Sequence, residues 1–279
     1  MKDKMTGYKI FKAILSPIYR LWYNPKIKGK ENIPKEGPII LAGNHIHIMD
    51  QCNVIISTKR PIHYMAKKEY FDKQCKEGKF AWFFRLSGCI PVDRSTKDED
   101  AKSSALEVLN ESKALGIFPE GTRNALKEER IKELYDKYFI DKDISYDEFY
   151  KKIKKNKKSF VDLLEEFKDK GYISIEEFTD NIYDADGFLK DMIVNHKLTE
   201  EEYINHYLLP LKFGAVSLAS KTNAQIIPYA ITGSYKFRSK DLTINIGKPF
   251  KVESDLEVSN KKLDEEIKKL IEENLKNND

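Results

Sequence analysis

Four short apolar runs, each closed by turn-forming residues, decide what this chain can fold into: Pro38-Ile-Ile-Leu-Ala-Gly43, Ile62-His-Tyr-Met-Ala66, Leu115-Gly-Ile-Phe118 and Ala224-Gln-Ile-Ile-Pro-Tyr-Ala-Ile231. Runs of this length between turn formers read as buried strands. Helical patterns lie between them, notably over 98–114, and a final amphipathic helix is expected over about 260–275. Strand and helix in alternation imply an α/β fold, a mixed and largely parallel sheet flanked by helices. Sites in such sheets gather at the carboxyl ends of strands, so the residues after each run are the first candidates for chemistry.

Residues 128–210 break the alternation. They are rich in Lys, Glu, Asp, Tyr and Phe at helical spacing, without a convincing strand, and read as an all-helical insertion. Ser145-x-x-Glu148, Ser174-x-x-Glu177 and Thr199-x-x-Glu202 each have the form of a capping box, in which hydroxyl and carboxylate satisfy backbone N–H groups at a helix start. Asp184-Ala-Asp-Gly187 invites a calcium-loop reading, but with Gly187 at the turn the first and last ligand positions fall on Ile182 and Ile193, so it reads as a turn between helices. The expected division is 1–30 as an amphipathic membrane-surface segment, 31–127 with 211–279 as one catalytic domain, and 128–210 as the insertion. Within the first segment, Tyr8 to Tyr23 mixes large apolar residues with Lys9, Lys12 and Arg20, as an interfacial helix would, or equally a helix packed on the core. Pro17 should kink or split it.

Charge narrows the partners. The net charge is +4, yet Asn124–Pro210 holds 15 Lys+Arg against 21 Asp+Glu, leaving 34 against 24 elsewhere. A basic remainder suits anionic lipid, phosphate or an acidic carrier; nucleic acid would fit the sign, but no nucleic-acid motif accompanies it. Cys52, Cys75 and Cys89 form no even set or C-x-x-C pair, and no cleavable signal is evident, which points to a reducing cytoplasm. No run reaches the roughly 18 apolar residues that span a bilayer, so membrane contact is expected to be peripheral, on the cytoplasmic face.

Asn44-His45-Ile-His47-Ile-Met-Asp50 follows the first strand. An Asp at this distance on a turn entering a helix can hold one imidazole nitrogen while the other accepts a proton from a hydroxyl. That pair suffices when the substrate's own alcohol is the nucleophile. Alone, the pattern more often marks a structural histidine pair. His45, His47 and Asp50 also resemble metal ligands, the mark of a metal-dependent hydrolase, but only His63, His196 and His206 remain to complete such a site, two of them in the insertion. Phe118-Pro-Glu120-Gly121-Thr122-Arg123 follows another strand. Gly121 lets backbone N–H groups approach a ligand, Thr122 adds a hydroxyl, Arg123 offers a planar fork for phosphate, and Glu120 would orient a cation or a hydroxyl. Gly88-Cys-Ile-Pro-Val-Asp-Arg94 supplies a second arginine, and Pro228 a rigid point late in the chain.

In this order, the Asn44-His45-x4-Asp50, Gly88–Arg94, Phe118–Arg123 and Ile226–Ile231 blocks resemble the glycerolipid acyltransferase family, specifically its 1-acylglycerol-3-phosphate acyltransferases. Lys212-Phe-Gly-Ala215 looks like the family's segment before the fourth motif, and the likeness covers about 39–123 and 211–247. The resemblance implies direct transfer of a fatty acyl group from acyl-CoA or acyl carrier protein to the hydroxyl of 1-acyl-sn-glycerol 3-phosphate at a membrane lipid surface. Another lysophospholipid or glycerol 3-phosphate is the alternative acceptor. It implies His45 as general base steadied by Asp50, a phosphate clamp of Arg94, Glu120, Gly121, Thr122 and Arg123, and Pro228 on the acyl-donor side. Asn44 and His47 are possible auxiliaries, and neither a metal nor a cofactor beyond the acyl co-substrate is implied. Two departures stand out: His47 replaces the family's small polar residue, and the insertion, attached just after Arg123, is a candidate lid or wall for the acceptor site.

Overall fold

The computed structural model describes residues 5–75, 78–79, 81–93, 95 and 98–276. In chain order, α1 (Thr6–Tyr23) leads to β1 (Lys26–Lys28), β2 (Ile39–Gly43), α2 (Asp50–Ser57), β3 (Ile62–Lys67), α3 (Ala81–Leu86), β4 (Ile90–Val92), α4 (Glu99–Asn110) and β5 (Ala114–Ile117). Helices α5 (Glu128–Tyr138), α6 (Tyr146–Ile153), α7 (Lys158–Asp169), α8 (Ile175–Asn181), α9 (Ala185–Val194) and α10 (Glu200–Tyr207) follow. Then come α11 (Gly214–Thr222), β6 (Gln225–Thr232), β7 (Thr243–Ile246) and α12 (Leu256–Lys276). Two units result, one of Met1–Gly121 with Leu211–Asp279 and one of Thr122–Pro210.

The first unit is built on a seven-stranded sheet in the order β1-β7-β6-β2-β5-β3-β4, parallel throughout except where β6 meets β7. The four apolar runs are its four inner neighbours, β6, β2, β5 and β3. Every residue of β2 is buried, because strands in a sheet covered on both faces need apolar side chains on both sides. The strands not foreseen are β1, β4 and β7, of three, three and four residues, too short for a period to show. Pro228 is buried in β6; its carbonyl accepts from the Gly247 N–H (2.8 Å), so its missing donor also faces β7, just beyond the ladder that begins at Tyr229.

α1 is one helix through Pro17, not the split helix that proline suggested. Both halves are anchored to α2: Lys12 Nζ donates to the Thr58 carbonyl, Arg20 Nη2 to the Ile56 carbonyl (2.7 Å), and Tyr19 to Asn53 Oδ1 (3.0 Å). Two of the three cations expected to meet lipid headgroups are therefore engaged by carbonyls at the end of α2. The outer face keeps Ile14, Ile18, Leu21 and Trp22 exposed, Leu21 at 68%.

The second unit has its own core, with Leu134, Phe149, Phe160, Leu164 and Phe178 fully buried. Ser174 and Thr199 form complete capping boxes, whereas Ser145 accepts from the Glu148 N–H without the return bond. Asp184 caps α9, accepting from the Gly187 N–H (3.3 Å), so Asp184–Gly187 is the helix turn its spacing implied. Buried Asn124 accepts from the Ser159 N–H (3.0 Å) and donates to Ser159 Oγ (2.8 Å), capping α7 from a distance in sequence. The Glu165 carboxylate accepts from Arg130, from Lys137 (2.9 Å) and from Tyr138 (2.6 Å). Burial alone would raise its pKa; these three donors outweigh burial and hold it down at about 2.

Candidate active site

β2 hands the chain to the site through Asn44. Its side chain is fully buried and makes a two-point bond to the β6 backbone: Nδ2 donates to the Ile231 carbonyl (2.9 Å) and Oδ1 accepts the Ile231 N–H (2.7 Å). Gly43, just before it, is where Tyr229 lies against the backbone; a Cβ there would come within 2.4 Å of the Tyr229 ring. The turn that follows is thus fixed to two strands before any functional side chain appears.

Asp50, first residue of α2 and completely buried, reaches back over this turn. Its Oδ2 accepts from the Ile46 N–H, the His47 N–H and the His45 Nδ1–H, each at 2.7 Å. Oδ1 accepts from the Tyr235 hydroxyl at 2.5 Å. With backbone donors already on it, the carboxylate can only accept from the ring, which assigns the proton to Nδ1 of His45 and makes Nε2 its basic nitrogen. Phe118 stacks on the His45 ring, centroids 3.9 Å apart and planes 12° from parallel, and this restricts rotation about the Cβ–Cγ bond. The His45 ring is 13% exposed.

Glu120, nearly buried, accepts from the His45 N–H, so the ring and the Glu-Gly turn stand side by side. The turn closes with the Gly121 N–H on the Phe118 carbonyl (3.0 Å), and Gly121 has φ +72°, where a side chain would be strained. A Cβ there would also approach Lys212 Cε and Nζ to 2.9 Å. Lys212 is held in place by its own N–H on the Pro119 carbonyl (2.9 Å), two residues ahead of α11. Beside this turn, an exposed ammonium and a nearby helix start together form an electropositive corner close to His45.

Of the residues expected to act, the structure brings His45, Asp50, Glu120 and Gly121 together. Thr122, half-buried, and Arg123, exposed, open the second unit and follow Gly121 directly along the chain. Arg94 lies outside the described residues. Asn44 serves the sheet with both of its amide atoms. His47 stacks on Tyr235, centroids 4.0 Å apart, and its Nδ1 accepts the Met49 N–H (3.2 Å), which accounts for an aromatic ring where the family has a small residue. Tyr235, Phe118 and Lys212 are functional candidates to which the sequence assigned no role; Phe118 and Lys212 each open a recognised block, and Tyr235 lies in none. Cys52 is no rival nucleophile, since burial and then the charge of Asp50 push its thiol up to about 12. Among the described residues, no three His, Cys, Asp or Glu side chains converge as they would around a metal ion.

The model of the Acyltransferase family matches residues 24–232, well over half of the chain. The 1-acyl-sn-glycerol-3-phosphate acyltransferase of Bacillus subtilis is 30% identical over 119 residues, 42% of this chain and 58% of the relative. That of Borreliella burgdorferi is 33% identical over 107 residues, 38% of this chain and 41% of the relative. The chain spans about half the length of the curated relatives it matches. A likeness of fold links it to the crystal structure of the 1-acyl-sn-glycerophosphate (LPA) acyltransferase PlsC from Thermotoga maritima, with TM-score 0.52, 18% identity, and 98% of this chain and 83% of that one covered.

Proposed function

Since the chain belongs to the Acyltransferase family, we propose that it transfers a fatty acyl group from acyl-CoA or acyl carrier protein to the free hydroxyl of 1-acyl-sn-glycerol 3-phosphate, giving phosphatidic acid. The observation that carries this reading is the convergence on Asp50 of one ring N–H and two backbone N–H groups, which supports His45 Nε2 as the base. In the reaction, Nε2 takes the hydroxyl proton as the oxygen attacks the thioester carbonyl. The C–O bond forms, the C–S bond breaks, and the imidazolium returns the proton to the departing thiolate. Asp50 stabilises the imidazolium meanwhile, and no acyl-enzyme forms.

The acceptor's phosphate is taken by the electropositive corner at Gly121 and Lys212. Thr122, Arg123 and Arg94 are the further ligands the family likeness implies, and Glu120 is the residue that fixes the turn to His45. Pro228 shapes the acyl-donor side. No cofactor beyond the acyl donor is required.

The acceptor is a lipid, and the exposed apolar face of α1 supplies a seat on its surface. Trp82 and Leu86 of α3 and Phe237 extend that face, with Trp82 ringed to Phe11 and Phe237 to Trp22. Among the described residues no helix is long and apolar enough to cross a membrane. The proposed location is peripheral, on the cytoplasmic face.

Purified protein incubated with lysophosphatidate and either acyl donor should form phosphatidate, and His45→Ala should slow the reaction by about 10²–10⁴-fold. Transfer that survives the substitution, measured by radiolabelled acyl incorporation, would remove His45 from the mechanism.

A further inference from the structure

Beyond the dyad, a chain of buried and half-buried hydrogen bonds approaches Asp50 at the oxygen that His45 does not use. The Tyr19 hydroxyl donates to Asn53 Oδ1 (3.0 Å), Asn53 Nδ2 donates to the Tyr235 hydroxyl (2.7 Å), and that hydroxyl donates to Asp50 Oδ1 (2.5 Å). Every donor points the same way, so each bond polarises the next, and the last acts on a carboxylate shielded from water. Three elements contribute: α1 gives Tyr19, α2 gives Asn53 and Asp50, and the β6–β7 connection gives Tyr235.

Tyr235 is fixed more firmly than its loop would suggest. His47 stacks on one side of its ring and Tyr23 meets it edge-on at 5.5 Å. Its loop is cinched by Ser234 and Ser239 donating to Asp241, and is tied to the end of α1 by the Arg238 N–H on the Trp22 carbonyl (2.6 Å). Burial, reinforced by Asp50, drives the phenol far above its ordinary pKa, so it stays a donor throughout the pH range of any enzyme assay.

We propose that Tyr235 is a positioning residue for acyl transfer: it holds the second oxygen of Asp50, and through Asn53 and Tyr19 it ties the alignment of the dyad to the helix whose outer face is apolar. The proposal rests on the reading of His45 as general base. A carboxylate held at one oxygen only can pivot about its own side-chain bond, whereas one held at both presents a single direction to Nδ1. His47, stacked on the same phenol, belongs to this arrangement as packing.

The test is Tyr235→Phe, which removes one oxygen and keeps the ring. The ionisable groups facing the dyad are Glu120, His47, Tyr19, Cys52 and Tyr229; the substitution replaces none of them, and the Tyr19 phenol, which loses the Tyr235 hydroxyl as a neighbour, is already held far above its ordinary pKa by burial. Without the hydroxyl, the carboxylate charge acts more fully on the ring, so the imidazolium is favoured. The acidic limb of the kcat/KM profile, where His45 must lose its proton, should move up by about half a pH unit or more. At neutral pH kcat should fall about tenfold, with the KM for lysophosphatidate changed less than twofold. A limb and kcat that match the parent protein, or a rise in KM alone, would overturn the proposal. Should Tyr235→Phe fail to fold, Asn53→Ala, which withdraws the donor to the phenol together with the acceptor of the Tyr19 hydroxyl, should move the limb in the same direction by less, and an unmoved limb there counts equally against it. The His45 ring titration followed by NMR reads the same displacement without turnover. If the parent protein transfers no acyl group, it is the assigned function that fails, and the ring titration still decides whether Tyr235 acts on the dyad.

Discussion

Asp50→Asn is the sharpest probe at the scale of single residues, because it keeps volume and shape while replacing an acceptor with an amide. Either the new Nδ2 takes the place of Oδ2 and faces the Ile46 and His47 N–H groups together with the ring, or it takes the place of Oδ1 and faces the Tyr235 hydroxyl, and in both cases the charge that steadies the imidazolium is gone. kcat should fall by about 10²-fold or more with acceptor KM nearly unchanged, as steady-state kinetics would report. Lys212→Ala should do the reverse, raising acceptor KM about tenfold, the worth of one charge-assisted bond, with kcat at saturation little altered. His45 and Asp50 were legible in the sequence because five residues on one turn fix their distance before any tertiary structure exists. Glu120 and Gly121 were legible because they end a strand. Tyr235 was not: it lies 185 residues from Asp50 along the chain, and only the pairing of β6 with β2 brings it near. No local spacing encodes such a meeting.

Among the elements, α1 was read as amphipathic, and its outer face agrees, but Lys12 and Arg20 are spent on α2 carbonyls. A cation at a helix surface looks alike in sequence whether it meets a headgroup or a neighbouring helix end, and only the folded chain distinguishes the two. Leu21→Asp with Trp22→Asp should weaken binding to anionic vesicles at least about tenfold in a flotation assay. Transfer to detergent-dispersed acceptor should persist, because neither side chain belongs to the chain from Tyr19 to Asp50. Capping boxes were legible in form and not in completion: Ser174 and Thr199 close theirs, Ser145 only half of its own. Thr199→Ala should cost about 1 kcal/mol, seen as faster amide exchange confined to the first turn of α10.

For the whole molecule, charge is distributed by unit, and the acidic helical unit carries the clearer dependence on pH. Glu165 has its pKa lowered on folding from 4.5 to about 2, so its contribution is complete above 4.5 and disappears as pH falls toward 2. Glu165→Gln should therefore lower stability at neutral pH, by roughly 1–2 kcal/mol after allowance for solvent screening. The difference between the two proteins should close on acidification through that window, as paired urea melts followed by helical ellipticity would reveal. The helical character of residues 128–210 was legible from composition and the place of its attachment from the blocks on either side, whereas the closeness of its two ends was not. In the sheet-bearing unit, Pro119 and Lys212 are one hydrogen bond apart, so the chain departs and returns through a single narrow doorway. Ends that close together cost the host sheet little, whatever length of polypeptide is spliced between them. The same doorway would admit a short linker or a foreign reporter domain, which makes this junction a natural port for engineering.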